Sequence, residues 1–90
     1  MTSDLSSHVN IGKDTEAKLL QAGIDSFQQL QAIGSEAAFL RLQAFDPGAC
    51  LHLLYALEGA VEGVKKKDLS PQKKQALLQF FRSIKKQSAI

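Results

Sequence analysis

Ninety residues (9.8 kDa), 44% hydrophobic and 22% charged, make one globular domain and exclude disorder, and no stretch approaches the ~18 uncharged apolar residues of a membrane span. The single cysteine, Cys50, excludes an internal disulfide framework and a four-cysteine zinc site, and Met1 to Asn10 lack the basic and apolar regions of a secretory leader, so the expected compartment is the reducing cytoplasm. The net charge of +2 hides a split: up to Gly63 three cations face eight acids (−5), and from Val64 onward eight cations face Asp68 alone (+7), which suits either an internal acidic–basic contact or a basic face for an anionic partner.

No segment alternates with a period of two, so the expected fold is all-α, with about five short helices and no strands. Residues 1–10 read as a flexible polar tail, 11–86 as the helical domain and 87–90 as a short C-terminal tail. A first helix is expected from about Lys13 to Ala22, with Ala17, Leu19 and Leu20 apolar and Gly23 as its stop. A second opens at Ser26, where Ser26 and Gln29 have the spacing of a capping box. It buries Phe27, Leu30 and Ile33 and ends at Gly34. A third starts at Ser35, carries Ala38, Phe39, Leu42 and Phe45, and is closed by Asp46-Pro47-Gly48.

The fourth helix, about Cys50 to Glu62, is the most apolar. Leu53, Leu54, Leu57, Ala60 and Val61 cover one broad side, while His52, Tyr55, Glu58, Gly59 and Glu62 fall on the other. After the charged connector Lys65 to Asp68, Ser70-Pro71 supplies an N-cap and a first-turn proline for the last helix. There Ala76, Leu77, Phe80, Phe81 and Ile84 face inward and Lys74, Arg82, Lys85 and Lys86 outward.

Ile11-Gly12 recurs as Ile33-Gly34, and Thr15-Glu16-Ala17 as Ser35-Glu36-Ala37, a faint internal echo of an apolar–Gly turn opening a helix. Two short helices meeting at Gly23, with Ile24 as the apolar plug, resemble helix-hairpin-helix and SAM-like domains and the C-terminal domain of the bacterial RNA polymerase α subunit. The run Leu53-Leu54-Tyr55-Ala56-Leu57-Glu58-Gly59, with Ile11-Gly12 and Ala22-Gly23-Ile24 upstream and Asp68-Leu69-Ser70-Pro71 downstream, resembles the C-terminal domain of TfoX (Sxy), the bacterial regulators of DNA-uptake competence, over about Val9 to Ile84. That resemblance implies a non-catalytic helical domain in transcriptional control. It also implies a protein partner in the transcription machinery or a factor such as the cyclic-AMP receptor protein. Full regulators of that kind carry a further N-terminal domain, and this chain corresponds to the C-terminal part.

Two surfaces follow from the residues themselves. Small residues on one flank of the fourth helix (Ala56, Gly59, Ala60, Gly63) let a neighbour's backbone approach closely. That neighbour is either this chain's own first or last helix or an external protein, and in the second case Tyr55, Glu58, Gly59, Glu62 and Gly63 form the partner-binding rim. A nucleic-acid surface would combine the turns at Gly12, Lys13 and Gly34, whose amides open helices, with Lys65, Lys66, Lys67, Lys74, Arg82, Lys85 and Lys86. The plain alternatives are that the glycines only turn the chain and that the lysines form a solvated face. No aromatic is interleaved among these outward-facing cations, so base stacking is unsupported. The nucleic-acid reading is thus a weak, sequence-independent DNA-binding module.

Catalysis is not indicated. Cys50 and His52 are two apart on a helix and point different ways, Cys50 reads as a small buried hydrophobe, and Glu58 with Glu62 lacks a third ligand. No cofactor or metal motif occurs, and the sequence calls for no membrane and no small-molecule substrate.

Overall fold

Ser26 adopts extended backbone and its Oγ accepts from the Gln29 amide at 3.1 Å, so the N-cap expected from sequence is present. The return half of the capping box is not. Gln29 instead spans the preceding turn, its Oε1 accepting from the Asp25 amide and its Nε2 donating to the Gly23 carbonyl. The first amide of the same helix is satisfied from far away, because Phe27 N–H donates to Asp4 Oδ1 at 3.0 Å.

The computed structural model describes residues 4–88, with side chains through Ile84. Four α-helices follow in order: α1 Lys13–Gln21, α2 Phe27–Phe45, α3 Leu51–Glu62 and α4 Pro71–Ser88. Single 3-10 turns at Leu5–Ser7 and Lys66–Asp68 complete the described elements, and no strand occurs among the described residues. The fold is all-α as expected, and the count differs from five for one reason. Gly34 breaks the helical path with φ 85° and ψ 166°, a conformation open to glycine, but α2 resumes at once as a second limb. The internal echo stops short of conformation, since Gly12 sits at φ −89° in ordinary extended backbone.

The core is assembled from one stripe of each helix: Leu19 of α1, Leu30, Ala38, Phe39 and Leu42 of α2, Leu54, Leu57 and Ala60 of α3, and Leu77 of α4. Phe81 meets Phe39 edge to face, with ring centroids 5.9 Å apart. Ile24 is fully buried as the plug of the first hairpin. Its amide donates to the Leu19 carbonyl (2.8 Å) and the Gly23 amide to the Leu20 carbonyl (3.0 Å), the paired bonds of a left-handed glycine stop. Lys18 Nζ, 2.9 Å from Asp46 Oδ2, ties α1 to the far end of α2.

Several side chains depart from the sequence reading. Ala17 and Leu20 of α1, Phe45 of α2 and Ala76 of α4 are exposed, because each helix turns one stripe inward and these residues fall outside it. Cys50 is exposed at the α3 N-cap rather than buried.

The largest difference lies in residues 4–10. Read as a tail, they pack as a strap across the domain. Leu5 is fully buried, the His8 ring stacks on Phe27 with centroids 3.5 Å apart, and Ser6 N–H donates to Glu16 Oε2 at 3.1 Å. One apolar anchor among polar residues leaves no periodic signal in the sequence. No helix among the described residues is long and apolar enough to cross a membrane.

Candidate functional site

The polar flank of α3 faces two clefts, one on either side. Glu58, half-buried, is the centre of the first. Its Oε1 accepts from the hydroxyl of buried Ser35 at 2.6 Å, and its Oε2 lies 3.8 Å from Lys73 Nζ. Ser35 opens the second limb of α2 and Lys73 sits in the first turn of α4, so one carboxylate joins three helices. A cleft of about 270 Å³ lies alongside, lined by Ile33, Gly34, Glu36 and Ala76 as well as these three groups.

Burial pushes the Glu58 carboxyl up, but hydrogen bonding to Glu62, the Ser35 hydroxyl and the Lys73 charge together hold it below the ordinary 4.5. Glu62 moves the other way: its hydrogen bond to Glu58 and partial burial raise it, so the neighbouring carboxyl keeps its proton longer. Because the folded-state pKa of Glu58 is depressed, its stabilisation is full above about pH 4.5 and is lost as acid protonates it. Glu58→Gln is therefore expected to lower Tm at pH 7 and to flatten the acid limb of a Tm–pH profile below about pH 4.5. A limb as steep as the wild type's would show that Glu58 carries none of it.

The second cleft, about 260 Å³, is lined by His52 and Tyr55 of α3, Lys66 and Lys67 of the 3-10 turn, and Lys74 of α4. Tyr55 Oη donates to the Lys74 carbonyl at 3.3 Å, and Lys74 Nζ to the Lys67 carbonyl at 3.3 Å. His52 and Tyr55 meet edge to face at 6.5 Å. Sequence reasoning saw the lysines and saw no aromatic among them. The tertiary structure brings two, since Tyr55 is ten residues or more from each lysine in the chain but beside them in space.

The sequence-predicted partner rim divides. Glu62 is exposed, Tyr55 is half-buried and tied to α4, and Glu58 is taken up by the three-helix node. Gly63 is exposed as the left-handed stop of α3 (φ 78°), with the Val64 amide donating to the Gly59 carbonyl at 2.8 Å. Gly59 is buried, and it is not the first or last helix that lies against it. A β-carbon there would meet Asn10 Nδ2, with the Val64 carbonyl oxygen at 2.6 Å and the Lys66 amide at 3.3 Å. The close neighbour is thus the N-terminal strap together with the connector after α3, and the small residue serves internal packing.

Of the sequence-predicted nucleic-acid residues, Lys65, Lys66, Lys67 and Lys74 gather around the connector, all exposed except half-buried Lys74. Gly12 and Lys13 are exposed at the start of α1, and Gly34 lies on the other cleft. Arg82 is exposed about 12 Å farther along α4 than Lys74. The side chains of Lys85 and Lys86 lie outside the described residues, as do residues 89 and 90 of the expected C-terminal tail; 87 and 88 are the last of α4.

The residue that sequence reasoning missed is Asn10. At φ 70° its side chain donates to the Val64 carbonyl (2.9 Å) and the Ala56 carbonyl (3.4 Å) and accepts from the Lys66 amide (3.2 Å). It thereby sets the position of the lysine-bearing connector. An asparagine directly before an Ile-Gly pair was the only local signal available.

Comparison with known proteins agrees with this architecture. A crystal structure of an uncharacterized protein from Listeria monocytogenes (triclinic form) is 43% identical, with a TM-score of 0.89 over 90% of this chain and 92% of that one. A protein of unknown function from Listeria monocytogenes (tetragonal form) is 44% identical, with a TM-score of 0.86 over 88% of this chain and 98% of the other. No curated protein gives a significant match. The family described as the TfoX C-terminal domain matches residues 1–81, which takes in the strap as well as the first three helices and most of α4, and the chain belongs to that family.

Proposed function

We propose that the chain is a non-catalytic adaptor acting in bacterial transcriptional control of the competence type, through contacts with the transcription machinery or a factor such as the cyclic-AMP receptor protein. Family membership over residues 1–81 carries this reading. The chemistry of the side chains is in keeping with it. The Ser35 hydroxyl is buried and donates to a carboxylate, Cys50 has only His52 near it in sequence, and no group of three or more metal-binding side chains occurs among the described residues.

Contacts of this kind draw on apolar side chains that stand out of the surface, and Leu40 (45% exposed) and Phe45 (54%) on α2 are such groups. A Leu40→Ser/Phe45→Ser variant is expected to keep the wild-type Tm, because neither side chain is in the core, and to lose at least ~10-fold in affinity for its partner. Titration calorimetry against purified cyclic-AMP receptor protein and against RNA polymerase reads this out. Failure of the wild-type chain to bind either would overturn the adaptor reading.

A further inference from the structure

The geometry points to the cleft between α3, the 66–68 turn and α4 as a seat for one nucleotide of a single-stranded nucleic acid: the phosphate on Lys66, Lys67 and Lys74, the base against His52 and Tyr55. This stands apart from the adaptor reading, since it needs no protein partner. Four observations support it.

The three lysines come from the connector and α4 and line one cleft, and none of their ammonium groups has a carboxylate within ion-pair distance among the described residues. Asp68 shares the turn but pairs with none of them, while nearby Glu58 is engaged by Ser35 and Lys73. The positive potential is therefore not neutralised internally, as it would be if the lysines answered the acidic half of the chain.

The aromatic groups are part of the same cleft. A positive groove with aromatic side chains at its floor is how proteins hold unpaired strands, with phosphates meeting cations while bases lie on rings. Tyr55 is held in place through its hydroxyl by the Lys74 carbonyl, so its ring is presented without a free rotor, and His52 beside it is exposed.

At about 260 Å³ the cleft is smaller than the ~300–1,000 Å³ that encloses a whole small-molecule ligand. One unit of a longer polymer fits the size better than a free cofactor.

The cleft is also built rather than incidental. Asn10 clamps the connector through Lys66 N–H and the Val64 carbonyl, and Lys74 Nζ closes onto the Lys67 carbonyl.

Fluorescence anisotropy with a labelled oligothymidylate of about twelve nucleotides tests this, titrated at about 20 mM and about 150 mM salt against a duplex of equal length. The wild type is expected to bind the strand more tightly than the duplex and to weaken steeply with salt. K66Q/K67Q should lose at least ~10-fold, and H52A about 5- to 10-fold, with circular dichroism spectra unchanged because all three residues are exposed. R41Q removes one positive charge from an exposed position on α2 that lines neither cleft and should stay within about 2-fold. No binding by the wild type at low salt, a loss in R41Q as large as that in K66Q/K67Q, or a preference for duplex would each overturn the proposal. None of these results bears on binding to a protein partner.

Discussion

Gly59→Ala should destabilise the domain by about 2 kcal/mol or more, and Gly59→Leu should leave it unfolded at room temperature. An alanine in a helix interior ordinarily gains ~1 kcal/mol over glycine, so the expected sign is opposite to the propensity effect. The reason is contact. A β-carbon at Gly59 runs into the Asn10 amide and lies 2.6 Å from the Val64 carbonyl oxygen, and the second of these is backbone held by the α3 stop. Overpacking of this kind typically costs ~1–3 kcal/mol, and relief would require moving the connector away from α3. In a chain this size ~1 kcal/mol moves Tm by roughly 4–8 °C, so thermal melts should show a drop on the order of 10–20 °C. Gly12→Ala is the matched control, with no atom within 4 Å and no left-handed backbone, and, as a change at the α1 N-cap where alanine is less favoured than glycine, should cost no more than ~1 kcal/mol. A Gly59→Ala variant melting with the wild type would show that strap and connector are not packed as described.

Asn10→Ala should cost about 2–4 kcal/mol, again by melting or denaturant titration, from two separable sources. The side chain makes three hydrogen bonds to backbone of α3 and the connector, of which the Val64 and Lys66 groups are left without this partner. The backbone at φ 70° is tolerated by asparagine and costs alanine ~1 kcal/mol. Asn10→Gly removes the second cost and keeps the first, so it should fall between alanine and the wild type. Alanine and glycine variants of equal stability would locate the whole effect in the hydrogen bonds. The same substitutions should loosen the turn bearing Lys66 and Lys67, and so weaken strand binding beyond the loss of global stability.

These two residues also mark how far the sequence can be read. Gly59 stands out in sequence as a small residue inside an apolar helix, which says that something comes close but not what. Asn10 sits in a polar stretch that reads as a tail, and its partners are 46 to 56 residues away. Similarly, the lysines of the connector are visible as a run, but the rings that share their cleft belong to another helix, and no local pattern records that meeting.

What the sequence by itself determined is the list of helices and their ends. The Ser26 and Ser70 caps, the glycine stop at Gly23 and the break at Gly34 depend on groups within a few residues of one another, so local chemistry is enough. The repeat of apolar residues likewise marked Leu30, Phe39, Leu54, Leu57 and Leu77 for the core. Only the tertiary structure decided that residues 4–10 are a strap, that Glu58 joins three helices, that the strap and the connector lie against Gly59, and that Tyr55 and His52 stand among lysines. Each of these depends on which helix faces lie against one another. That choice is made by the packing of the whole core and not by any window of the chain.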